Sequence, residues 1–474
     1  MARKRQILKV VAVLGAFLYV AFWLRRLQSE EIIFTQLLRE YRPKNADPFL
    51  QPRIPRDLCI EDECLHGRWV RRDPPFTSLQ DFQAVFTSNS STKWHRCAVV
   101  PPAEGVTRTP DETKKLEQER LVETMNWVWM PDRGRMVPFD VEDFIVRLLR
   151  TPAGVIFIGD SLSAAHRHGF QARLEQGGFK FDVASPSYSA EFVPFSNASH
   201  LRMHILRPND PMTLKLQRRA QDHMLIHEPE IRAITEQYGA KKTYYWYHKF
   251  KRVEGWESFV RLIARPRAGE EHVVTGNTIL LMNAGAHWSR SELAMLPDRG
   301  TDEQEQLRVI WSYQQMVKLL MNRLSPIPRI SVLYRSTSPG HPNCGSKPSP
   351  YDNITHALAG EHNVVQQLLA PLKTSKDIKS KKRWDWNLFN EHNMVWKREI
   401  EKLKAEEEEN AQAASAETRA RWDYVDLWEM NLQRPDAHSE PGKDCLHWCL
   451  PVVHADWTHY LYHLVYLRTA YASI

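Results

Sequence analysis

Three short, mainly apolar runs constrain the fold of this chain more than any other feature. They cover residues 155–158, 279–282 and 330–334, which is the length of buried strands. Continuous apolar sequence is typical of strands covered on both faces, as in parallel sheets. Between the second and third runs, the capping box at 301–304 opens a helix with one apolar face, formed by Ile310, Tyr313, Val317, Leu320 and Leu324. Strand, helix and strand in that order predict a right-handed crossover in a mainly parallel sheet, and therefore an α/β fold.

The composition excludes several classes of protein. The chain has 474 residues, of which 42% are hydrophobic and 26% charged, an ordinary globular mixture. A disordered chain, a collagen and a polytopic membrane protein are therefore excluded. The net charge of +7 is spread along the chain without a basic block, so we expect no nucleic-acid partner. The 16 Trp residues suit either a packed core or surfaces on which sugars stack.

The N-terminus carries a candidate membrane anchor. Residues 7–24 are apolar except for Lys9, and Arg25 and Arg26 follow them. This run is just long enough to cross a bilayer. A cleaved signal peptide is the alternative, but no small-residue cleavage site follows the run. More basic residues precede the run than follow it, which predicts a cytosolic N-terminus and a single-pass type II protein of the Golgi or endoplasmic reticulum membrane.

Cysteines and glycosylation sequons support a lumenal location for the rest of the chain. All six cysteines follow the candidate anchor, and a secretory lumen permits disulfides; they are Cys59, Cys64, Cys97, Cys344, Cys445 and Cys449. Three sequons also follow it, at Asn89, Asn197 and Asn353. A cytosolic protein with free thiols is the alternative.

Composition divides the chain into four parts. Residues 1–26 are predicted to form the cytosolic tail and anchor, and 27–57 a polar stem. Residues 58–140 are rich in Cys, Trp and Pro, which predicts an irregular, disulfide-tied N-terminal subdomain. Residues 141–474 form the predicted α/β domain, interrupted at about 373–422 by a charged insertion.

The insertion has helical spacing in its middle. Trp396, Ile400 and Leu403 recur on one face, which predicts one amphipathic helix that frays into a solvated charged segment. A surface insertion is the expected role rather than a binding element. The chain then returns to a predicted strand at 424–428.

The first candidate site residue follows the first strand. Gly159 permits a tight turn directly after residues 155–158, and this turn places Ser161 at the carboxyl edge of the sheet, where open α/β sheets bind ligands. A helix N-terminus behind Ser161 offers backbone N–H groups to an oxyanion. The alternative is that Asp160 and Ser161 only cap the helix.

A candidate base and its carboxylate lie near the C-terminus. Asp444 and His447 are three residues apart, a spacing that puts both on the same side of a helical turn. A serine nucleophile needs such a base and an orienting carboxylate. Two alternatives stay open here. One is a buried structural histidine. The other is a zinc site of Cys445, His447 and Cys449 with nearby His438, although no second ligand pair exists in the sequence.

A third element follows the second strand. Asn283 has a side-chain amide that is able to donate to an oxyanion, and Gly285 lets the backbone come close. Asn and Gly also make ordinary turns, which is the alternative interpretation.

Together these motifs resemble a known family. The strings are Gly159-Asp160-Ser161-Leu162, Asn283-x-Gly285-x-His287-Trp288 and Asp444-Cys-Leu-His-Trp-Cys-Leu-Pro451, supported by 64–70, 129–131, 335–341 with Cys344, and 434–438. The set is similar to the trichome-birefringence-like polysaccharide O-acetyltransferases. These belong to the SGNH-like acyl-esterase superfamily, which also includes fungal capsule O-acetylation proteins. The resemblance runs from about residue 57 to 474. It departs from the plant pattern at Ser163-Ala164-Ala165-His166 and at Val452, which favours a fungal-type branch.

The resemblance implies an SGNH-hydrolase-like three-layer α/β/α fold and a double displacement. Ser161 is then the nucleophile, His447 the base and Asp444 its orienting group. The Ser161 N–H and Asn283, with Gly285 beside them, form the oxyanion site. No metal or bound cofactor is implied, but an acetyl donor is required, either acetyl-CoA or an acetylated carrier.

Further roles follow from the same resemblance. The implied partners are a polysaccharide acceptor and an acetyl donor or donor-supplying membrane protein. Substrate-binding candidates are Asp160, His287, Trp288, Arg335, His341 and Trp448. A separate expectation concerns the cysteines: because Cys445 and Cys449 flank the proposed base, at least one of them is expected in a disulfide. Cys344 is the first candidate partner, and the three N-terminal cysteines are expected to pair in or near their subdomain. Two other functions stay open: a carbohydrate acyl esterase with the same triad, and a non-catalytic glycan-binding scaffold.

Overall fold

The structure, a computed structural model, covers most of the chain after residue 56. It describes residues 57–86, 97–175, 177–184, 202–207, 209–222, 233–237, 264, 274, 276–290, 293, 300–342, 344–369, 385–409 and 419–471. The predicted anchor at 7–24, the stem up to residue 56, and Asn89 and Asn197 lie outside these ranges. Within them, no helix combines the length and the apolar character that a bilayer crossing requires.

Strands and helices alternate along most of the described chain. The strands are β1 Gly67–Arg71, β2 Trp127–Pro131, β3 Val155–Gly159, β4 Phe181–Ala184, β5 Arg202–Leu206, β6 Ala233–Gln237, β7 Thr278–Asn283, β8 Ile330–Arg335, β9 Arg421–Val425, β10 His438–Glu440 and β11 Asp444–Trp448. The α-helices are α1 Leu79–Val85, α2 Pro110–Met125, α3 Val141–Leu149, α4 Ser161–Glu175, α5 Pro211–Asp222, α6 Asp302–Leu324, α7 Ile354–Leu369, α8 Phe389–Glu409, α9 Trp428–Leu432 and α10 Val452–Tyr471.

A seven-stranded sheet forms the centre of the fold, in the order β4-β5-β6-β3-β7-β8-β9. The five strands from β6 to β9 in this order are mutually parallel, whereas β5 is antiparallel to both of its neighbours. The predicted strands at 155–158, 279–282 and 330–334 are β3, β7 and β8, and the Thr301 capping box begins α6. The predicted mixed α/β fold with a mainly parallel sheet is therefore confirmed.

Helices cover both faces of the sheet. Val155 and Phe157 face one core, which also contains residues of α3, α4 and α10. Ile156 and Ile158 face a second core, built with residues of α6 and α8. Because alternate side chains of a strand point to opposite faces, both sides of β3 are apolar, and this explains the continuous apolar run.

Residues 58–140 belong to the same compact unit as the central sheet. The chain from Asp57 to Ser473 forms one compact unit, and Trp69 of β1 donates its indole N–H to the Met430 carbonyl at 2.8 Å. The region is also more regular than predicted, because β1 and β2 pair as an antiparallel ribbon and α1 and α2 precede β2.

Three disulfides join the six cysteines. Cys59 pairs with Cys64, Cys344 with Cys445, and Cys97 with Cys449. The expected partnership of Cys344 with a cysteine beside His447 is therefore confirmed, as is a bridge within the N-terminal region. The third bridge connects residues 352 positions apart and ties that region to the C-terminal segment.

The predicted surface insertion contributes to the core. The predicted amphipathic helix is present as α8, but its Trp396 is fully buried and stacks on Tyr334 of β8, with ring centroids 4.1 Å apart. Trp396 also donates its indole N–H to the Tyr313 hydroxyl of α6 at 2.9 Å. This helix is therefore part of the layer that covers the second face of the sheet.

The last strand of the sheet lies three residues earlier than predicted. The prediction of 424–428 is wrong at both ends, because β9 covers Arg421–Val425. Asp426 ends the strand: its carboxylate accepts the main-chain N–H of Trp428 at 3.2 Å, a local turn that starts α9. The apolar residues Leu427 and Trp428 therefore belong to the turn and helix.

Candidate active site

The turn after β3 brings Ser161 to the carboxyl edge of the sheet. Ser161 is the first residue of α4. A side chain at Gly159 would overlap the Asn283 carbonyl oxygen and the Ser163 hydroxyl, so only glycine fits this turn. Asp160 caps the helix, since its Oδ1 accepts the Leu162 N–H at 2.9 Å. The capping alternative therefore holds for Asp160, whereas the Ser161 hydroxyl has another partner.

Ser161, His447 and Asp444 form a continuous hydrogen-bonded row. The Nε2 atom of His447 lies 2.8 Å from the Ser161 hydroxyl oxygen, and its Nδ1 atom lies 2.7 Å from Oδ2 of Asp444. The two ring nitrogens thus contact the two groups that a base needs, a proton source on one side and a carboxylate on the other. These residues come from opposite ends of the α/β region, 286 positions apart.

The contact between Asp444 and His447 arises differently from the prediction. The two residues lie on β11, not on a helical turn. Oδ1 of Asp444 accepts the main-chain N–H groups of Leu446 and His447, at 3.2 and 3.1 Å. This local turn brings His447 over the carboxylate at the start of the β10–β11 hairpin, whose register shifts there.

The carboxylate of Asp444 is held in its charged form. Burial raises its pKa, but hydrogen bonds from the side chain and main chain of His447 and the N–H of Leu446 outweigh burial, so the pKa lies below its ordinary value. The His447 and Asp444 side chains remain 15% and 34% exposed. The row is therefore accessible from solvent, as a site for an external substrate must be.

Two disulfides flank His447 and exclude the predicted zinc alternative. Cys445 and Cys449 belong to different bridges, so neither sulfur is a thiolate available to a metal. Within the described chain, Cys59, Cys64 and His463 are the one group of potential metal ligands that approach within 4.8 Å of one another. Cys59 and Cys64 are themselves joined by a disulfide, so this group is not a metal site in its oxidised form.

The structure does not aim the Asn283 amide at Ser161. Asn283 ends β7 directly beside Gly159, as predicted. Its Nδ2 atom, however, donates to the Arg335 carbonyl and to the Thr337 hydroxyl, both at 3.1 Å. A side chain at Gly285 would overlap that same Thr337 hydroxyl. Thr337 was not among the predicted site residues, because nothing in the sequence pattern at 335–341 indicates a contact with β7.

Five of the six substrate-binding candidates are buried, which contradicts direct contact with a glycan. They are Asp160, Trp288, Arg335, His341 and Trp448, whereas His287 is partly exposed. Trp448 stacks on His438 with ring centroids 4.2 Å apart, and Trp288 packs edge-on against Tyr313. These rings fill the core and leave no face for a sugar.

The remaining predicted residue in the described ranges is Asn353. It lies half-buried at the start of α7, where its Oδ1 accepts the His356 N–H at 3.0 Å. This sequon asparagine therefore has a role in helix capping.

Comparisons with known proteins do not identify the chain. No protein-family profile matches it, and neither does any curated protein.

Proposed function

We propose that this protein is an O-acetyltransferase that moves an acetyl group onto a hydroxyl of a cell-wall or capsule polysaccharide, through an acetyl ester on Ser161. The row Ser161–His447–Asp444 at the carboxyl edge of a parallel sheet is the observation that carries the proposal. The ordered motifs that resemble polysaccharide O-acetyltransferases of the SGNH-like superfamily support it, as does the presence of helices on both faces of the sheet.

The first half of the reaction loads the enzyme. His447 Nε2 takes the Ser161 hydroxyl proton while the oxygen attacks the acetyl carbonyl of the donor. Negative charge moves to the carbonyl oxygen, next to the N–H of Ser161 at the start of α4. As the bond to the donor breaks, the leaving group takes the proton from His447. The products are acetyl-Ser161 and the donor molecule without its acetyl group.

The second half reverses these roles. His447 takes the proton of a sugar hydroxyl, whose oxygen attacks acetyl-Ser161. The ester bond to Ser161 breaks, and His447 returns the proton to the serine oxygen. Asp444 stabilises the positive charge that His447 carries in both steps. Each cycle therefore moves one acetyl group and leaves the enzyme unchanged.

The proposed setting is the lumen of the Golgi or endoplasmic reticulum, with residues 7–24 as a single-pass type II anchor. The three disulfides support this setting, since disulfides persist in secretory compartments. The acetyl donor is acetyl-CoA or an acetylated carrier, which a membrane protein supplies on the lumenal side.

Hydrolysis is the second candidate function. The His447 and Asp444 side chains are both partly exposed, so water is able to reach the acetyl ester on Ser161. Water in place of the sugar hydroxyl makes the protein an acyl esterase with the same triad.

The experiment incubates the full-length protein, in detergent micelles, with a chromogenic acetyl ester. Oligosaccharide acceptors are added or withheld, and mass spectrometry follows acetyl-Ser161 and acetylated sugar. Acetylated sugar supports the transferase, and acetate released at the same rate with or without acceptor supports the esterase. If neither acetylated sugar nor acetate forms, the non-catalytic glycan-binding scaffold is the remaining candidate function.

Ser161→Ala and Ser163→Ala form a matched pair of variants. Both serines lie in the first turn of α4, but the Ser163 hydroxyl points to the Ile158 carbonyl at 3.4 Å. We expect Ser161→Ala to abolish ester formation and Ser163→Ala to retain it within about threefold, since the nucleophile is present only in the second variant. Equal activity of the two variants contradicts the proposal.

A further inference from the structure

Arg335 is a buried cation at the carboxyl edge of the sheet, the edge that also carries Ser161. It ends β8 on the face of the sheet that α4 and α10 cover, and its guanidinium lies over the Trp457 ring, 4.4 Å from the centroid. The side chain is 1% exposed. Nη1 and Nη2 have no hydrogen-bond partner among the described residues. A charge in such a place is unfavourable unless another charge balances it.

Asp160 is the carboxylate that balances it. Asp160 is also buried, and its Oδ2 has no hydrogen-bond partner in the described part of the chain. Burial lowers the pKa of Arg335 to about 10, and the negative charge of Asp160 is the main opposing influence. The two groups form no direct ion pair, but the ends of their strands flank the end of β7 at the carboxyl edge of the sheet. Gly159, directly before Asp160, lies opposite Asn283, and the Asn283 amide donates to the Arg335 carbonyl at 3.1 Å.

The location of Asp160 matters for the reaction. Its Oδ1 accepts the Leu162 N–H, which places a negative charge at the same helix start that faces the developing oxyanion. Without compensation, this charge opposes the negative charge that forms on the acetyl oxygen. Arg335 supplies the compensation from the end of β8.

We propose that Arg335 is a positioning residue for catalysis: it neutralises the field of Asp160, so that the N-terminus of α4 remains favourable for the oxyanion on the substrate of Ser161. This inference rests on the proposed acyl transfer. It also gives a role to two residues whose burial excludes direct contact with substrate.

The test compares single and double charge removals in the full-length protein. Arg335→Met removes the cation, Asp160→Asn removes the anion and keeps an acceptor for the Leu162 N–H, and a third variant carries both changes. The rate of acetyl-Ser161 formation from a chromogenic acetyl ester is measured per folded molecule. We expect Arg335→Met to lower kcat about 10- to 100-fold with KM within about threefold. Addition of Asp160→Asn should restore kcat at least about fivefold, and Arg335→Lys should stay within about fivefold of wild type.

Arg434 offers a matched control. It is also fully buried and lies over a Trp ring, 4.4 Å from the centroid of Trp69, but it forms a direct pair with Asp436 at 3.0 Å. Arg434→Met should lower stability without a change in kcat, because its anion is not the residue next to Ser161.

The outcomes separate this inference from the proposed function. A wild-type protein that forms no acetyl-Ser161 overturns both. Wild-type acylation together with additive losses in the double variant, or with an unchanged kcat in folded Arg335→Met, overturns this inference alone. Should Arg335→Met fail to fold, the double variant decides: kcat within about tenfold of wild type supports the inference, and a larger loss overturns it.

Discussion

Replacement of Asp444 by Asn tests the hydrogen-bonded row with the smallest change in shape. An asparagine Oδ1 keeps the two main-chain bonds that Asp444 accepts from Leu446 and His447. Its NH₂ group then faces His447 Nδ1, where Oδ2 lies at 2.7 Å in the native protein. The ring must accept that hydrogen bond on Nδ1 and carry its own proton on Nε2. In this tautomer His447 donates to Ser161 and is unable to take its proton.

The size of the loss follows from the exposure of Asp444. In a fully buried triad, the same change lowers kcat about 10⁴-fold. Asp444 is 34% exposed, so solvent screens part of its interaction with the charged ring. We therefore expect a loss of about 10³-fold in kcat, equivalent to about 4 kcal/mol in the activation free energy. KM should change by less than about threefold, since the change affects proton transfer and not binding.

The assay is the rate of acetyl-Ser161 formation from a chromogenic acetyl ester, with circular dichroism as the check on folding. Glu440→Gln is the matched control, because Glu440 is an exposed carboxylate directly opposite Asp444 in the β10–β11 hairpin. This control should retain wild-type kcat. A folded Asp444→Asn protein with more than about a tenth of wild-type kcat refutes the assigned role of the carboxylate.

Three further predictions concern stability and the oxyanion. Burial lowers the pKa of His341 to about 4, below its ordinary value of 6.5. The contribution of neutral His341 to stability is therefore full above about pH 6.5 and is lost as the pH falls towards 4, by up to about 3 kcal/mol. The midpoint temperature of thermal unfolding should fall over this pH range, and less steeply in His341→Gln. Replacement of both Cys344 and Cys445 by Ser opens a loop of about 100 residues and should lower the free energy of unfolding in urea by about 4–5 kcal/mol, whereas an unchanged midpoint contradicts a formed bridge. Asn283→Ala removes two hydrogen bonds and should cost about 2 kcal/mol of stability but less than tenfold in kcat; a loss of 10²–10³-fold in the folded variant shows instead that the amide turns to the oxyanion.

The parts of the fold that sequence analysis predicted are those that local chemistry determines. β3 and β7 are covered on both faces, so each is a continuous apolar run, and Gly159 follows because backbone and side chains crowd the turn. The position of Ser161 at the sheet edge follows from these local features. These features depend on residues that are close together in the chain, so a single sequence is enough to predict them.

The predictions that were wrong concern contacts between segments that are distant in the sequence. Cys97 and Cys449 are 352 positions apart, and no local pattern indicates which N-terminal cysteine meets the C-terminal loop. Trp448 was expected at a sugar-binding surface, but β10 places His438 against its ring. The same sequence motif is compatible with a buried or an exposed tryptophan, and only the packing of β10 on β11 decides between them.

In the proposed reaction, the hydrogen bonds that the Asn283 amide already makes change which group supports the oxyanion. With both amide hydrogens donated to Arg335 and Thr337, the donor next to the nucleophile is the N–H of Ser161 at the start of α4. One main-chain donor at a helix start depends strongly on the net charge around it, because the helix dipole amounts to only about half an elementary charge. In the proposed arrangement, the full charge of an uncompensated Asp160 outweighs this partial charge, and Arg335 restores the balance. In the proposed reaction, loss of the Asn283 donor and burial of Arg335 are thus two parts of one arrangement, in which the charges around the turn replace a direct side-chain hydrogen bond.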